Sequence, residues 1–174
     1  ADELLQTLDL PLSGVFDGSS LRQPGVVRKI KRLNADVAFS VMFDYILKID
    51  FINLFPDGVI NLHPSFLPYN RGANPNIWSI VEGTPAGVTL HYIDSGIDSG
   101  DIIARLEVEV EPIDTGESLY HRLEIACLDL VAETWPLIRN RSAPRTPQRQ
   151  TDGTNHRARD VADIDEIYLD RTYT

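Results

Sequence analysis

Apolar positions along the chain follow two periods, one helical and one alternating, and these divide it into elements. Asp2 to Leu8 carries leucines at helical spacing, and Pro11 to Phe16 then reads as a short strand. After a turn at Asp17-Gly18-Ser19-Ser20, Val26 to Leu33 predicts a basic amphipathic helix, and Ala35 to Met42 predicts a buried strand. A short helical stretch near Tyr45 to Leu54 leads to a strand beginning at Gly58 and running to Asn61. Strand, helix, strand in that order predicts a parallel α/β layer. Further on, Ile77 to Glu82 reads as a helix, and Gly87 to Ile93 and Ile102 to Val110 as strands. In the second of these, Leu106, Val108 and Val110 alternate with Glu107, Glu109 and Glu111, and the pair predicts an antiparallel extension. Thr115 to Ile138 predicts a long helix with Thr115 as its N-cap and Leu119, Leu123, Ala126, Leu130 and Val131 as its core stripe.

The pattern stops near Asn140. Ser142 to Thr154, rich in Pro, Arg, Gln and Thr, predicts an extended segment over the surface, and Ala162 to Tyr168 a final short helix. The expected organisation is one domain over residues 1–140 with a tail over 141–174 packed on it. A doubly wound domain opens on a strand before its first helix, so that first strand is expected to be missing from this chain.

Composition narrows the classes. With 43% apolar and 24% charged residues the chain is expected to be globular. No apolar run reaches spanning length and no signal segment opens the chain, so a cytoplasmic protein is the expectation. A net charge of -10 argues against a phosphate-backbone footprint and hence against nucleic acid as partner. Arg139, Arg141, Arg145, Arg149, Arg157 and Arg159 nevertheless crowd the last quarter, which leaves room for a small phosphorylated ligand. The lone Cys127 has apolar neighbours at helical spacing and reads as a core residue. His63, His91, His121 and His156 form no ligand-spaced cluster, so no metal is expected.

Candidate chemistry gathers in Asn61 to Arg71, Asn-Leu-His-Pro-Ser-Phe-Leu-Pro-Tyr-Asn-Arg. Asn61 and His63 stand two apart at a strand end and share a face, and Pro64 and Pro68 are expected to hold the following loop extended. An amide N–H and an imidazole at one point can stabilise an oxyanion and move a proton, the two needs of acyl transfer. The same pair also fits a turn whose polar atoms are satisfied locally. Asp98, in a loop between Gly96 and Gly100, can bring a carboxylate close to a ligand.

The stretch Asn61 to Gly72, followed by Asn74-Pro75-Asn76-Ile77-Trp78, resembles a signature of the folate-dependent formyltransferase family, and Gly87 to Ile103 resembles its second signature. That resemblance implies a Rossmann-like sheet and matches Asn61, His63 and Asp98 to the family's catalytic asparagine, histidine and aspartate. Asn61 would donate to the formyl oxygen, His63 would take the proton of the attacking amine, and Asp98 would orient and support the imidazole. It implies 10-formyltetrahydrofolate as donor, its pterin held between Tyr45-Ile46-Leu47 and Asp94 to Asp98. Read from the residues alone, Tyr45, Ile46 and Leu47 are core candidates. Tyr69, Asn70, Arg71 and Trp78 are the candidate substrate contacts.

The tail, Gly153 to Arg157 with Asp160, Ile164, Tyr168-Leu169-Asp170 and Tyr173-Thr174, resembles that of sugar N-formyltransferases. By that resemblance the acceptor is a dTDP-linked amino deoxysugar, with a 4-amine favoured over a 3-amine, the enzyme is a homodimer, and the chain is cut short at both ends. Methionyl-tRNA or glycinamide ribonucleotide are alternative acceptors, and a non-catalytic chain binding folate or nucleotide sugar is the alternative outside enzymes.

Overall fold

The helical and alternating stripes resolve into a four-stranded mixed sheet with a helical layer on each face. The computed structural model describes residues 2–8, 12–43 and 45–164. Four strands, β1 (Val37–Val41), β2 (Gly58–His63), β4 (Ala86–Tyr92) and β5 (Ile102–Val108), lie in the order β1-β2-β4-β5. β1 and β2 run parallel, while β4 is antiparallel to both β2 and β5. The parallel start and antiparallel extension are those expected from the strand patterns.

The period of two sorts each strand between two layers. Ile60 and Leu62 of β2 and Val88 and Leu90 of β4 pack with α1 (Asp2–Leu8) and α5 (Gly116–Arg139), where Leu119, Leu123 and Val131 are buried. Val59, on the other face of β2, packs with Val26 and Ile30 of α2 (Val26–Leu33) and Ile52 of α3 (Ile49–Ile52). Asn61 and His63 share Val59's face, so polar groups lie on the sheet face away from α5. Helix α5 starts where the sequence indicates: Thr115 Oγ1 accepts from the Ser118 N–H at 3.1 Å, and Ser118 Oγ accepts from the Thr115 N–H at 3.0 Å. This reciprocal box satisfies two donors at the helix start.

Several expectations are corrected. Leu12–Gly14, within the predicted strand at 11–16, is a single 3-10 turn, because Leu12 and Val15 are exposed and no neighbouring strand takes up their backbone groups among the described residues. The predicted helical stretch at 45–54 is helical only over Ile49–Ile52. The segment after Pro64 is a turn, not an extended loop: Leu67-Pro68 is cis, and the Tyr69 N–H donates to Phe66 O at 3.1 Å. Two short strands were not foreseen, β3 (Arg71–Gly72) and β6 (Asn155–His156), which pair in parallel and stitch the tail onto the loop after β2. Between them α4 (Pro75–Glu82) begins with Pro75 in its first turn, where a missing N–H costs nothing. Ala158–Asp163 is a 3-10 turn, and the rest of the predicted final helix, with Tyr168, Leu169, Asp170, Tyr173 and Thr174, lies outside the described residues. No helix among the described residues is long and apolar enough to cross a membrane.

Leu123, 1% exposed on the α5 stripe, and Ile125, 62% exposed on the same helix, separate burial from hydrophobicity. Leu123→Ala is expected to cost about 2–5 kcal/mol and Ile125→Ala within about 0.5 kcal/mol, read as shifts of a urea unfolding midpoint. Equal shifts would show that α5 does not bury the face assigned to it.

Candidate active site

β2 and β4 bring the polar groups together. Across the antiparallel pair Asn61 lies opposite His91, and His63 opposite Thr89, so all four belong to one sheet face. Thr89 faces the turn after β2: its hydroxyl accepts from the Leu67 N–H at 3.1 Å and donates to Ser65 O at 2.7 Å. Arg105 Nη1 donates to Leu67 O at 2.6 Å. The turn is thus pinned from the sheet beneath it.

Into this face reaches Asp98. Its Oδ2 accepts from the Gly72 N–H at 2.9 Å and lies 3.6 Å from His63 Nε2. Its Oδ1 lies 3.5 Å from His91 Nε2 and 3.4 Å from Asn61 Nδ2. Asn61 Nδ2 is also 3.3 Å from His91 Nε2. The side-chain contacts, at 3.3 to 3.6 Å, are long for hydrogen bonds. Asn61, His63 and Asp98, singled out from the sequence, are therefore brought to one point.

Asp98 holds a left-handed backbone with φ 48°, a conformation uncommon for a residue with a Cβ. The loop turns that sharply because Gly100 packs against the end of β4, where an added Cβ would meet Tyr92 O at 1.9 Å. Asp94 shapes the same loop, its Oδ1 accepting from the Gly96 N–H and the Ser99 hydroxyl, both at 2.8 Å.

The electrostatics divide the labour. Burial works against ionisation of Asp98, but His91, His63 and the Gly72 N–H outweigh it and hold the carboxyl at about 2. Burial pushes the His63 imidazole below its ordinary value, against the pull of Asp98 toward the charged form. At neutral pH the site therefore holds a carboxylate and a neutral imidazole. His63 Nε2 faces two acceptors, Asn70 O at 3.4 Å and the Asp98 carboxylate, which favours the proton on Nε2 and leaves the ring's lone pair on Nδ1. Burial and Glu124 push the Cys127 thiol up to about 12, which leaves it a poor nucleophile at neutral pH.

His91 is the member of this cluster that sequence reasoning passed over. Its Nδ1–H donates to Tyr92 O at 2.9 Å, which turns Nε2 toward Asp98 and Asn61. The available signal was its place in an alternating strand, on the face of Thr89, but only the β2–β4 register sets it opposite Asn61.

The remaining candidates divide. Tyr45 and Ile46 are exposed at 40% and 76%, beyond the carboxyl end of β1, with the Arg22 guanidinium 3.8 Å over the Tyr45 ring. Leu47 packs against the α2–α3 core, as the alternative reading had it. Tyr69 is half-buried. Asn70, expected to touch substrate, is fully buried instead: Nδ2 donates to Ser79 Oγ at 2.9 Å and Thr84 Oγ1 at 2.8 Å, and Oδ1 accepts from Thr154 Oγ1 at 2.8 Å. Its amide is spent on joining the turn, α4 and the tail. Trp78 is likewise buried, its ring stacked at 3.9 Å on His156. Arg71 is 6% exposed and donates from Nε and Nη2 to Gln148 Oε1.

Comparison with known proteins places this geometry. The family described as formyl transferase matches residues 6–131. The fold is similar to that of the formyltransferase PseJ from Anoxybacillus kamchatkensis, solved with UDP-4,6-dideoxy-4-formamido-L-AltNAc and tetrahydrofolate, at 34% identity and a TM-score of 0.79 over 97% of this chain and 86% of that one. A 4-N formyltransferase from Francisella tularensis is 31% identical with a TM-score of 0.69, over 80% of this chain and 56% of that one. A methionyl-tRNA formyltransferase from Agathobacter rectalis is 34% identical over 142 residues, 81% of this chain, and the chain spans about half, 46%, of that relative's length. The mixed sheet flanked by helices is the Rossmann-like arrangement of these formyltransferases.

Acid titration tests the ionised Asp98. Its folded pKa lies below the ordinary 3.8, so its contribution to stability is full above about pH 4 and is lost as pH falls toward about 2. Asp98→Asn is expected to flatten that part of the stability–pH curve, measured by urea unfolding between about pH 2 and 5. Parallel curves for the two proteins would mean that the carboxylate is not held in this way.

Proposed function

Because the chain belongs to the formyl transferase family, we propose that it transfers a formyl group from 10-formyltetrahydrofolate to the amine of a nucleotide-linked amino deoxysugar. The observation that carries this reading is the convergence of Asn61, His63 and Asp98 within 3.6 Å contacts on one sheet face. The donor brings a formyl carbon already activated on nitrogen. Its fit rests on the exposed apolar Met42 and Ile46, which follow β1 in the chain, and on the exposed Ile97 next to Asp98, groups that suit a flat ring. The Asp94-to-Asp98 loop, exposed except at Asp98, would supply the second wall.

The roles follow from the geometry. An amide NH2 carries two hydrogens, so Asn61 can hold Asp98 with one and turn the other from its long contact with His91 Nε2 to the formyl oxygen as negative charge grows there. His63, neutral through burial, takes a proton from the attacking amine. Asp98, ionised, supports the imidazolium so formed, and His91 presents Nε2 to the Asn61 amide. The new bond forms between formyl carbon and acceptor nitrogen, the bond to the donor nitrogen breaks, and one proton passes from the first nitrogen to the second through His63.

For the acceptor, the similarity to PseJ runs over 97% of the chain and so includes the tail, and that enzyme holds a 4-formamido sugar on UDP. A 4-amine is accordingly preferred to a 3-amine, although a Helicobacter canadensis enzyme solved with dTDP-3-aminofucose is 31% identical. The nucleotide expected from the sequence was dTDP, and the PseJ complex makes UDP an equal candidate. The second reading is methionyl-tRNA, favoured by the Agathobacter relative and opposed by the net charge of -10. Incubation with 10-formyltetrahydrofolate and a panel of UDP- and dTDP-linked 4- and 3-amino sugars, glycinamide ribonucleotide and methionyl-tRNA, with products weighed by mass spectrometry, decides among them. A formamido sugar is the expected product; formyl-methionyl-tRNA alone would overturn the sugar reading.

Asn61→Ala is expected to lower kcat by about 10²–10³-fold while folate binding persists. Normal kcat with raised KM would make Asn61 a binding residue only. His63→Ala and Asp98→Ala are each expected to remove most turnover, with the double variant little worse than either, since groups acting as a unit are not additive. Losses that multiply would separate the two residues into different steps.

A further inference from the structure

Gln148 lies in the tail, beyond residue 131 where the family match ends, and carries no ionisable group. Its amide is nevertheless the most fully engaged polar side chain near the site. Nε2 donates to Asp98 O at 2.9 Å and to Gly100 O at 2.7 Å. Oε1 accepts from Arg71 Nε at 3.2 Å and Arg71 Nη2 at 2.8 Å. A primary amide has two donor hydrogens and two acceptor lone pairs, and all four are used. The orientation is dictated by chemistry: turned over, the amide would set oxygen against two carbonyls and N–H groups against a guanidinium.

We infer that Gln148 is a positioning residue, which fixes the left-handed backbone of Asp98 and so aims its carboxylate at His63, Asn61 and His91. The inference rests on the formyl-transfer reading for its kinetic consequence, but not for its structural one. Asp98 is gripped twice from the same two-residue strand. Gly72 donates its N–H to the carboxylate, and Arg71, through Gln148, holds the backbone carbonyl. The strand is itself held by the tail, since the Arg71 N–H donates to Thr154 O at 3.1 Å and the Ala73 N–H to His156 O at 3.0 Å. Gly72 is required there, because it has φ 91° and an added Cβ would lie 2.1 Å from His156 O. Upstream, Thr146 and Ile102 exchange backbone hydrogen bonds at 2.8 and 3.0 Å. The tail from Thr146 to His156 is thus a strap that crosses the Asp98 loop, with Gln148 as its central pin. A carboxylate displaced by about 1 Å costs on the order of 10² in rate, so the pin matters to chemistry more than to folding.

Gln148→Glu is the informative variant. It keeps the length and the partnership with Arg71 but replaces both donors to the Asp98 and Gly100 carbonyls with an acceptor. It is expected to lower kcat about 10–100-fold with KM for the donor within about twofold, and to add little further loss in an Asp98→Asn background. Thr151→Ala, at an exposed position of the same strap, is the control. The second readout needs no turnover: the His63 proton resonance, assigned by its loss in His63→Gln, is titrated by NMR. The groups facing that ring are Asp98, His91 and the Asn70 carbonyl. With Asp98 displaced, the attraction favouring imidazolium weakens, and the midpoint is expected to fall in Gln148→Glu as it does in Asp98→Asn. Should the wild type transfer no formyl group to any acceptor, the formyl-transfer reading fails, and the titration alone decides the role of Gln148. An unmoved midpoint, kcat within twofold of wild type, or a loss that multiplies with that of Asp98→Asn would overturn the proposal. If Gln148→Glu lowers the melting temperature, Gln148→Asn, which keeps the amide but withdraws it by one methylene, takes its place under the same criteria.

Discussion

The site depends on keeping one carboxylate charged where burial opposes charge. Asp98 remains ionised because a backbone N–H and two imidazoles surround it, and these, with the nearby Asn61 amide, come from three different segments. Asn61 and His63 come from β2, His91 from β4, and Gly72 from the stitch between the turn and the tail. A partly buried charge lacking these partners would take up a proton instead. The folding of these segments against one another is therefore also what sets the charge state on which the chemistry relies.

The sheet provides the rigid base for this arrangement by giving its two faces different tasks. One face, through Ile60, Leu62, Val88 and Leu90, is sealed by α1 and α5 and supplies the main apolar core. The other face carries Asn61, His63, Thr89 and His91 at matching registers, so each polar side chain is held by a backbone whose opposite side is closely packed. Thr89, two residues from His91 on the same face, shows how economical the arrangement is: a single hydroxyl in the sheet holds two backbone groups of the turn that leads to Asn70 and Gly72.

The turn and the tail then act as one unit. Asn70, in left-handed conformation, joins the turn to α4 and to Thr154, and its carbonyl faces His63. Residues with the composition of a surface linker, Ser142 to Thr154, thereby become part of the scaffold around the Asp98 loop. The division at residue 140 drawn from composition follows the end of α5, but it does not separate what holds the site from what does not.

Much was legible in the sequence because it is written in local rules. The period of two in β4 and β5, the Thr115 cap and the stripe along α5 each follow from residues within a few positions of one another, and the i, i+2 spacing of Asn61 and His63 suffices to put them on one face. Family resemblance supplied Asp98, which local rules could not connect to His63. What only the tertiary structure decided is the set of partners that are remote along the chain. His91 gained its place from strand register, and Gln148 from the path of a tail whose composition says only that it is irregular. Asn70, Arg71 and Trp78 were drawn inward because their polar or aromatic groups found partners in Thr154, Gln148 and His156, all on that tail. A sequence shows which residues are able to bind; which of them have already been used to hold the fold depends on contacts between segments that no local pattern encodes.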